Sequence, residues 1–468
     1  MFDTVTLDQA ADRTWDVIIA GSSFASMFFL RELSKSLSVL VIEKGDVIDH
    51  ATQLAKGRVE ETFSQTNHSD DEKTWVAHSM FGGNSNCWWG QTPRFHANDF
   101  RMRSTYNIMS DWPLSYDTLE PLYGDVERVM EVAGGGNEHV LPRRTPFPFP
   151  PHIPSRSDVA LRHSGNHWFA APSARSNGGS RAPCCTNGVC DLCPVDAKFT
   201  ILNGLRHFTR ANVALLPASE VRALRIEAGT ARAALVRHAD TEKEIRGTLF
   251  ALGANAIFNA AILLRSGLAS PALGAYLHEQ ASRNVRLDVP MRSFFGGTSI
   301  TGHGYALYDG PHRADVAGVL IENFNWPASV RPLADRWTER LTFKLIAEDM
   351  PQERNRVTLD SDGEVHLVWH GHSTYAKAGI DRAIKMLPDL LPVAIEGIAA
   401  TSYAASEGHI QGTTRMGLTM QDSVVDATLK THEARNVLAL GAGTFPTCAP
   451  ANPTLTLSAL SIHAARHL

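Results

Sequence analysis

The chain has 468 residues, 43% hydrophobic and 20% charged, with a net charge of −5 at pH 7. That length allows two or three domains and a core large enough to need no disulfide staples. The mild acidity and the lack of a Lys/Arg-rich run argue against a nucleic-acid partner, and the longest apolar runs, "ASMFFL" and "AAILL", are too short to cross a bilayer. The N-terminal "MFDTVTLDQAADRTWDV" lacks the charged start and apolar run of a signal peptide. The expected location is the cytoplasm, or the periplasm if the chain is exported with a signal-bearing partner.

The first organised stretch is "WDVIIAGSSFASMFFLRELSKSLSVLVIEKGD". Asp16 to Ala20 read as a short buried strand, Gly21-Ser22-Ser23 as a turn, and a helix follows to about Glu32. "SVLVIEKG" then reads as a second buried strand ending in Glu43. Such a unit binds dinucleotides: Gly21 permits the tight turn, and the helix N-terminus offers free N–H groups to a pyrophosphate. Glu43, 22 residues after Gly21, stands where a carboxylate accepts from ribose hydroxyls. The usual pattern is G-x-G-x-x-G; here Ser23 and Ser26 replace the second and third glycines, so a generic α/β unit remains the alternative.

Residues 81–95, "FGGNSNCWWGQTPRF", form a small-residue loop. In "DWPLSYDTLEPLYGDVERVMEVAG" the Ser115/Asp117 region caps a helix carrying Leu119, Leu122, Val126 and Val129. Residues 141–155 are a proline-rich connection. "VALLPASEVRALRIEAGTARAALVRH" predicts a strand and a hairpin, and "GTLFALGANAIFNAAILLRSG" a strand, a turn and a helix. "RLDVPMRSFF", "GVLIENFNW", "RLTFKLIAED" and "NRVTLD" predict one antiparallel sheet over 286–360, and "TYAKAGIDRAIKMLPDLL" has helical spacing.

Four of the six cysteines, Cys184, Cys185, Cys190 and Cys193, crowd into "PCCTNGVCDLCP". Zinc sites usually show two separated C-x2-C pairs, and only one is present. A run ending in Cys-Pro suits iron–sulfur ligation. Disulfides and free structural thiols are the other readings.

The tail segments "GHIQGTTRMG", "DSVVDATLKTHEARNVLALGAGTFPT" and "ANPTLTLSALSIHAARHL" together resemble the glucose–methanol–choline (GMC) oxidoreductases. The N-terminal unit, "GGNSNCWWG", "DWPLSYDTLEPLY" and "EDMPQERNRVTLD" resemble that family too, in the right order. The resemblance implies an α/β (α+β overall) architecture: a Rossmann-like FAD-binding domain and a substrate domain built on an antiparallel sheet. We assign 1–100, 196–285 and 405–468 to the first, 101–195 to a connecting segment with the cysteine loop, and 286–404 to the second.

The resemblance implies oxidation of an alcohol, such as a sugar, glycoside or polyol, by hydride transfer to FAD. It matches His409 to the catalytic base and Asn452 to its partner. An imidazole takes a hydroxyl proton near neutral pH, and an amide holds the substrate oxygen. It places Gly21, Ser22, Ser23 and Glu43 on the dinucleotide, Gly82, Gly83 and Asn84 beside the flavin, and Val221 near the adenine. Gly253, Ala254, Gly441, Ala442 and Thr454 fall in segments flanking the cofactor. Gly441-Ala442-Gly443 stands where the family often has Asp-Gly-Ser.

Some members attach the flavin through a histidine near position 87; Cys87 occupies it here, so non-covalent FAD is expected, with Cys87 and Cys448 structural. Glucose and glucoside 3-dehydrogenases of this family carry a three-iron (3Fe-4S) cluster on a loop like 184–193, although the loop here is one residue shorter between its last two cysteines. By that likeness Cys184, Cys190 and Cys193, with Cys185 able to replace Cys184, hold an iron–sulfur cluster that passes electrons to an external acceptor. A small subunit and an electron-transfer partner such as a cytochrome follow from the same likeness. The rivals are an oxygen-using oxidase, a flavin-containing lyase and a non-catalytic subunit. The Trp and His residues around 320–345 and 366–373 are candidates for lining a sugar site.

Overall fold

The computed structural model describes residues 2–136, 138–163, 167–293, 298–325 and 336–468. Its largest sheet has eight strands and takes them from distant parts of the chain. Five run parallel in the order Asp3–Thr4, Val213–Leu216, Val39–Ile42, Trp15–Ala20 and Thr241–Leu252. The hairpin strands Thr230–His238 and Glu220–Glu227 continue antiparallel from the last of these. Val437–Ala439 pairs in parallel with its far end. The central strands Trp15–Ala20, Val39–Ile42 and Val213–Leu216 are largely apolar and buried, as parallel strands covered on both faces are.

Trp15–Ala20 has Val39–Ile42 on one side and Thr241–Leu252 on the other. Its C-terminal end is therefore the switch point of the sheet, where such folds open a crevice. The turn there is fixed by Gly21, whose φ is +87°, and a Cβ on it would lie 2.6 Å from the Gly253 carbonyl oxygen. Phe24–Glu32 follows as a helix and packs against the C-terminal helix Thr454–Arg466. The predicted helix at 115 is Tyr116–Met130, with the Ser115 side chain accepting from the Thr118 N–H. It too packs on Thr454–Arg466.

A second sheet runs in the order Gly397–Tyr403, Ala281–Asp288, Arg340–Ala347, Val319–Phe324, Ile300–Gly304 and Trp168–Ala170. Every pairing in it is antiparallel. Alternate residues Val285, Leu287, Phe343, Leu345, Val319 and Ile321 form a core with the helix Thr374–Leu390. The opposite face carries Asn284, Lys344 and Glu322.

Two expectations need correction. The segment "NRVTLD" is not in this sheet: Arg356–Leu359 pairs with Val365–Trp369, which pairs in parallel with Ser64–Asn67. The second sheet also borrows Trp168–Ala170 from the connecting segment and begins at Ala281. Part of "RLDVPMRSFF" lies outside the described residues, as does Trp326.

Candidate active site

A cleft of about 560 Å³ opens at the switch point and extends over the polar face of the second sheet. Gly21, Ser22 and Ser23 line it with Glu43 from the next strand end. Gly83, Asn84, Val221, Gly253 and Ala254 line it as well. From the C-terminal segment come Gly441, Ala442, Asn452 and Thr454, and His409 lies on the same wall. Gly82 stands behind them, its N–H donating to the Ser22 hydroxyl at 2.8 Å.

The donor set fits a dinucleotide. Ser22 donates to Glu43 Oε2 at 2.5 Å, and the Gly45 N–H donates to Oε1 at 2.9 Å. These bonds hold the carboxylate at the strand end, where ribose hydroxyls would meet it. Burial raises its pKa to about 7 against the pull of those hydrogen bonds. No side chain caps the N-terminus of Phe24–Glu32, so its N–H groups remain available to a phosphate. Gly21, Ser22, Ser23 and Glu43 would hold the nucleotide end of FAD, and the segments at 83–84, 253–254 and 441–442 would flank the rest. Bound FAD supplies an acceptor for a hydride.

His409 sits on a loop fastened from below. The buried pair Lys73–Glu279 lies under it, and the other Glu279 oxygen accepts from the His409 N–H at 3.3 Å. The ring is held by Gln280, whose Nε2 donates to the carbonyls of Ala449 and Ala451, both at 3.0 Å. Those two bonds fix the amide orientation, so its Oε1 must accept from His409 Nδ1, at 3.1 Å. Nδ1 therefore carries the proton and Nε2 is left with a free lone pair. Burial lowers the His409 pKa, outweighing the carboxylates of Glu407 and Glu279. A neutral imidazole at the wall of the cleft takes a proton from a hydroxyl group.

Asn452 lies two residues before the helix Thr454–Arg466. It is buried, and its Oδ1 has no partner among the described residues. Asn452 lines the same cleft as His409, and its amide N–H can donate to a hydroxyl oxygen bound there.

The cysteine loop departs from expectation. All six thiols are free, and among the described residues no three His, Cys, Asp or Glu side chains are grouped to hold a metal. Cys185 is exposed, while Cys190 and Cys193 are buried. The loop backbone is fixed by protein groups instead. Buried Lys198 donates to the carbonyls of Trp88 (2.6 Å), Cys190 (2.9 Å) and Asp191 (2.5 Å). Burial lowers its pKa to about 8, against the pull of Cys87, Cys190 and Cys193. The Cys193 sulfur accepts from the Ala197 N–H at 3.3 Å. Burial pushes the Cys190 thiol up, but Arg175 and Ser299 outweigh it and leave it lowered. The set Cys184, Cys185, Cys190 and Cys193 thus does not fit an iron–sulfur cluster as folded. Cys87 lines the cleft, and Cys448 is buried.

The aromatic candidates also fall elsewhere. Trp369 is buried edge-on against Trp75, and His372 pairs with Asp349 at 2.8 Å. The cleft instead takes Phe324, Trp88 and Trp89. The residues missed from sequence are Gln280, Glu322, Lys344 and Asn284. The signal for Lys344 and Glu322 is a charged residue inside a largely apolar strand, "LTFKLIA" and "VLIENF"; Gln280 and Asn284 carry no such signal.

Comparison with known proteins finds relatives of one kind. Residues 351–461 match the GMC oxidoreductase family. The chain is 25% identical to the fructose dehydrogenase large subunit of Gluconobacter japonicus, over 96% of this chain and 97% of that one. The chain is thus similar to the GMC oxidoreductases in its C-terminal part and to relatives along nearly its whole length. It is also 27% identical to 6'''-hydroxyparomomycin C oxidase of Streptomyces lividus, over 97% of this chain and 91% of that one. The structure of pyridoxine 4-oxidase from Mesorbium loti superposes with a TM-score of 0.71 at 17% identity, covering 97% of this chain and 99% of that one, a likeness of fold. The GMC oxidoreductase match implies FAD as cofactor. Among the described residues no helix is long and apolar enough to cross a membrane.

Proposed function

We propose that this chain oxidises an alcohol group of a sugar or glycoside, with FAD as hydride acceptor and His409 as the base. The observation that carries the reading is the Gln280 tether, which leaves His409 Nε2 unprotonated in the cleft that Asn452 also lines. In this reading His409 removes the hydroxyl proton while the Asn452 amide N–H donates to the same oxygen. Both are needed at once, because losing the proton makes the carbon a better hydride donor. The names of the relatives, which include fructose dehydrogenase and a hydroxyparomomycin oxidase, support a sugar-like substrate. That one of them is a large subunit supports a partner subunit. The cysteine loop gathers no ligand set, so no cluster enters the reading.

The test is anaerobic mixing of the holoenzyme with D-fructose, D-glucose, D-glucosamine and methyl β-D-glucopyranoside. At least one should bleach the flavin absorbance. His409→Ala should keep its flavin and slow the bleaching by about two to four orders of magnitude, the range for a lost general base. A variant that bleaches at the native rate removes His409 from the role. Hydrogen peroxide formed in air marks an oxidase, and turnover only with ferricyanide or a quinone marks a dehydrogenase.

A further inference from the structure

The second sheet carries a row of polar side chains that the chemistry at His409 does not use. Asn284 pairs in register with Lys344, Lys344 with Glu322, and Glu322 with His303. Four neighbouring strands thus place one polar residue each in a single line. Residues directly opposite in a sheet share a face, and here the face is the one away from the Thr374–Leu390 helix. Asn284, Lys344 and Glu322 line the same cleft as His409.

The row is unfinished. Glu322 is 1% exposed, and its Oε1 has no hydrogen-bond partner among the described residues. His303 Nε2 lies 3.4 Å from it without completing a hydrogen bond. Asn284 Oδ1 is likewise buried without a partner. Lys344 reaches Glu407 at 2.6 Å. Burial pulls its ammonium down, yet Glu407 and Glu322 more than offset this and raise its pKa, so it stays a charged donor. Buried acceptors left open are costly unless something fills them.

We infer that Glu322, Lys344 and Asn284 determine specificity by binding hydroxyl groups of a polyhydroxylated substrate other than the one being oxidised. This rests on the reading of the chain as an alcohol oxidoreductase. The order across the sheet is acceptor, donor, acceptor, on strands about 4.8 Å apart. A hydroxyl both donates and accepts, so hydroxyls seated between Lys344 and its neighbours satisfy both kinds of group. A simple alcohol has one hydroxyl, which His409 and Asn452 engage, and it leaves the row unpaired. Sites built around such bonds reject analogues that lack the group far more strongly than apolar pockets do.

The experiment uses the holoenzyme, stopped-flow flavin bleaching, and whichever of the four sugars bleaches native enzyme fastest, beside its monodeoxy analogues and cyclohexanol. Glu322→Gln keeps the size and removes the charge. It should retain flavin and weaken the saturation constant for the sugar by about 10- to 100-fold, with a smaller change in limiting rate. For one monodeoxy analogue, native enzyme should already show that loss, and Glu322→Gln should add under about threefold. Asn284→Ala should behave the same way with another analogue. Equal penalties on sugar and on every analogue, or an unchanged saturation constant in both variants, overturn the inference and leave the alcohol reading intact. Loss confined to D-glucosamine reassigns the row to an ammonium group and also overturns it. If native enzyme is bleached by cyclohexanol and by none of the sugars, the sugar reading itself fails and the inference with it. Should Glu322→Gln emerge without flavin, Asn284→Ala and the native deoxy series decide.

Discussion

At the scale of single residues, the base is made by its neighbour. Gln280 has one acceptor oxygen, and two carbonyls claim its amide N–H groups. That geometry chooses the His409 tautomer without a charge. Gln280→Leu should leave the ring untethered and free to protonate at either nitrogen. We expect flavin bound normally, with substrate bleaching slowed by about 10- to 1000-fold, within the range seen when a base loses its orienting partner. Gln280→Glu should restore much of the rate but shift its pH profile, because a carboxylate beside the imidazole favours the charged form. In the native enzyme burial holds the His409 pKa below 6.5, so the neutral base persists as pH falls through that value. The acid limb of the bleaching rate should therefore lie below pH 6.5, and Gln280→Glu should move it upward. A mere packing role for Gln280 would lower the rate of both variants and leave the limb in place.

Among elements, those with local causes could be read from the sequence. The unit from Trp15 to Glu43 is one: an apolar run, a glycine at the turn, a second apolar run and a carboxylate follow one another within a single segment. Gly21 is the point where it can be broken. Its φ of +87° strains any side chain, and a Cβ would meet the Gly253 oxygen at 2.6 Å. Gly21→Val should give folded protein with little flavin, read from the ratio of visible to ultraviolet absorbance and a native circular dichroism spectrum. Full flavin occupancy would place the nucleotide elsewhere. Elements made by distant pairing were not legible. Ser64–Asn67 is a short polar exposed strand, and its partner lies some 300 residues away. The row on the second sheet was visible only as two charged residues in apolar strands, since register decides what stands beside what. The cysteine spacing was legible, and the fold gathers no ligand set around it among the described residues. Lys198, five residues after Cys193, is buried beneath the loop and ties down the carbonyls of Cys190 and Asp191.

Across the whole molecule, the cleft joins stretches near residues 20–43, 221–254 and 408–457, so a bound dinucleotide should act as a clamp on the fold. Ligand that binds only the native state raises the melting temperature with its concentration. Glu43 makes that clamp pH-dependent. In the flavin-free cleft burial raises its pKa from 4.5 to about 7. Between those values the unfolded chain releases a proton that the folded chain keeps. The stability of the apoprotein should therefore fall as pH rises from about 4.5 to 7, by on the order of 3 kcal/mol from this group, and then level off. Ribose hydroxyls donating to Glu43 favour its charged form, so binding FAD should release the proton over the same window. FAD affinity should then increase with pH up to about 7, by less than tenfold per unit, as a single proton allows. Glu43→Gln keeps the shape without the titration. It should flatten both dependences, measured by thermal melts of apoprotein and by quenching of FAD fluorescence between pH 5 and 8. A native FAD affinity that is flat across this range would take Glu43 out of contact with the ribose.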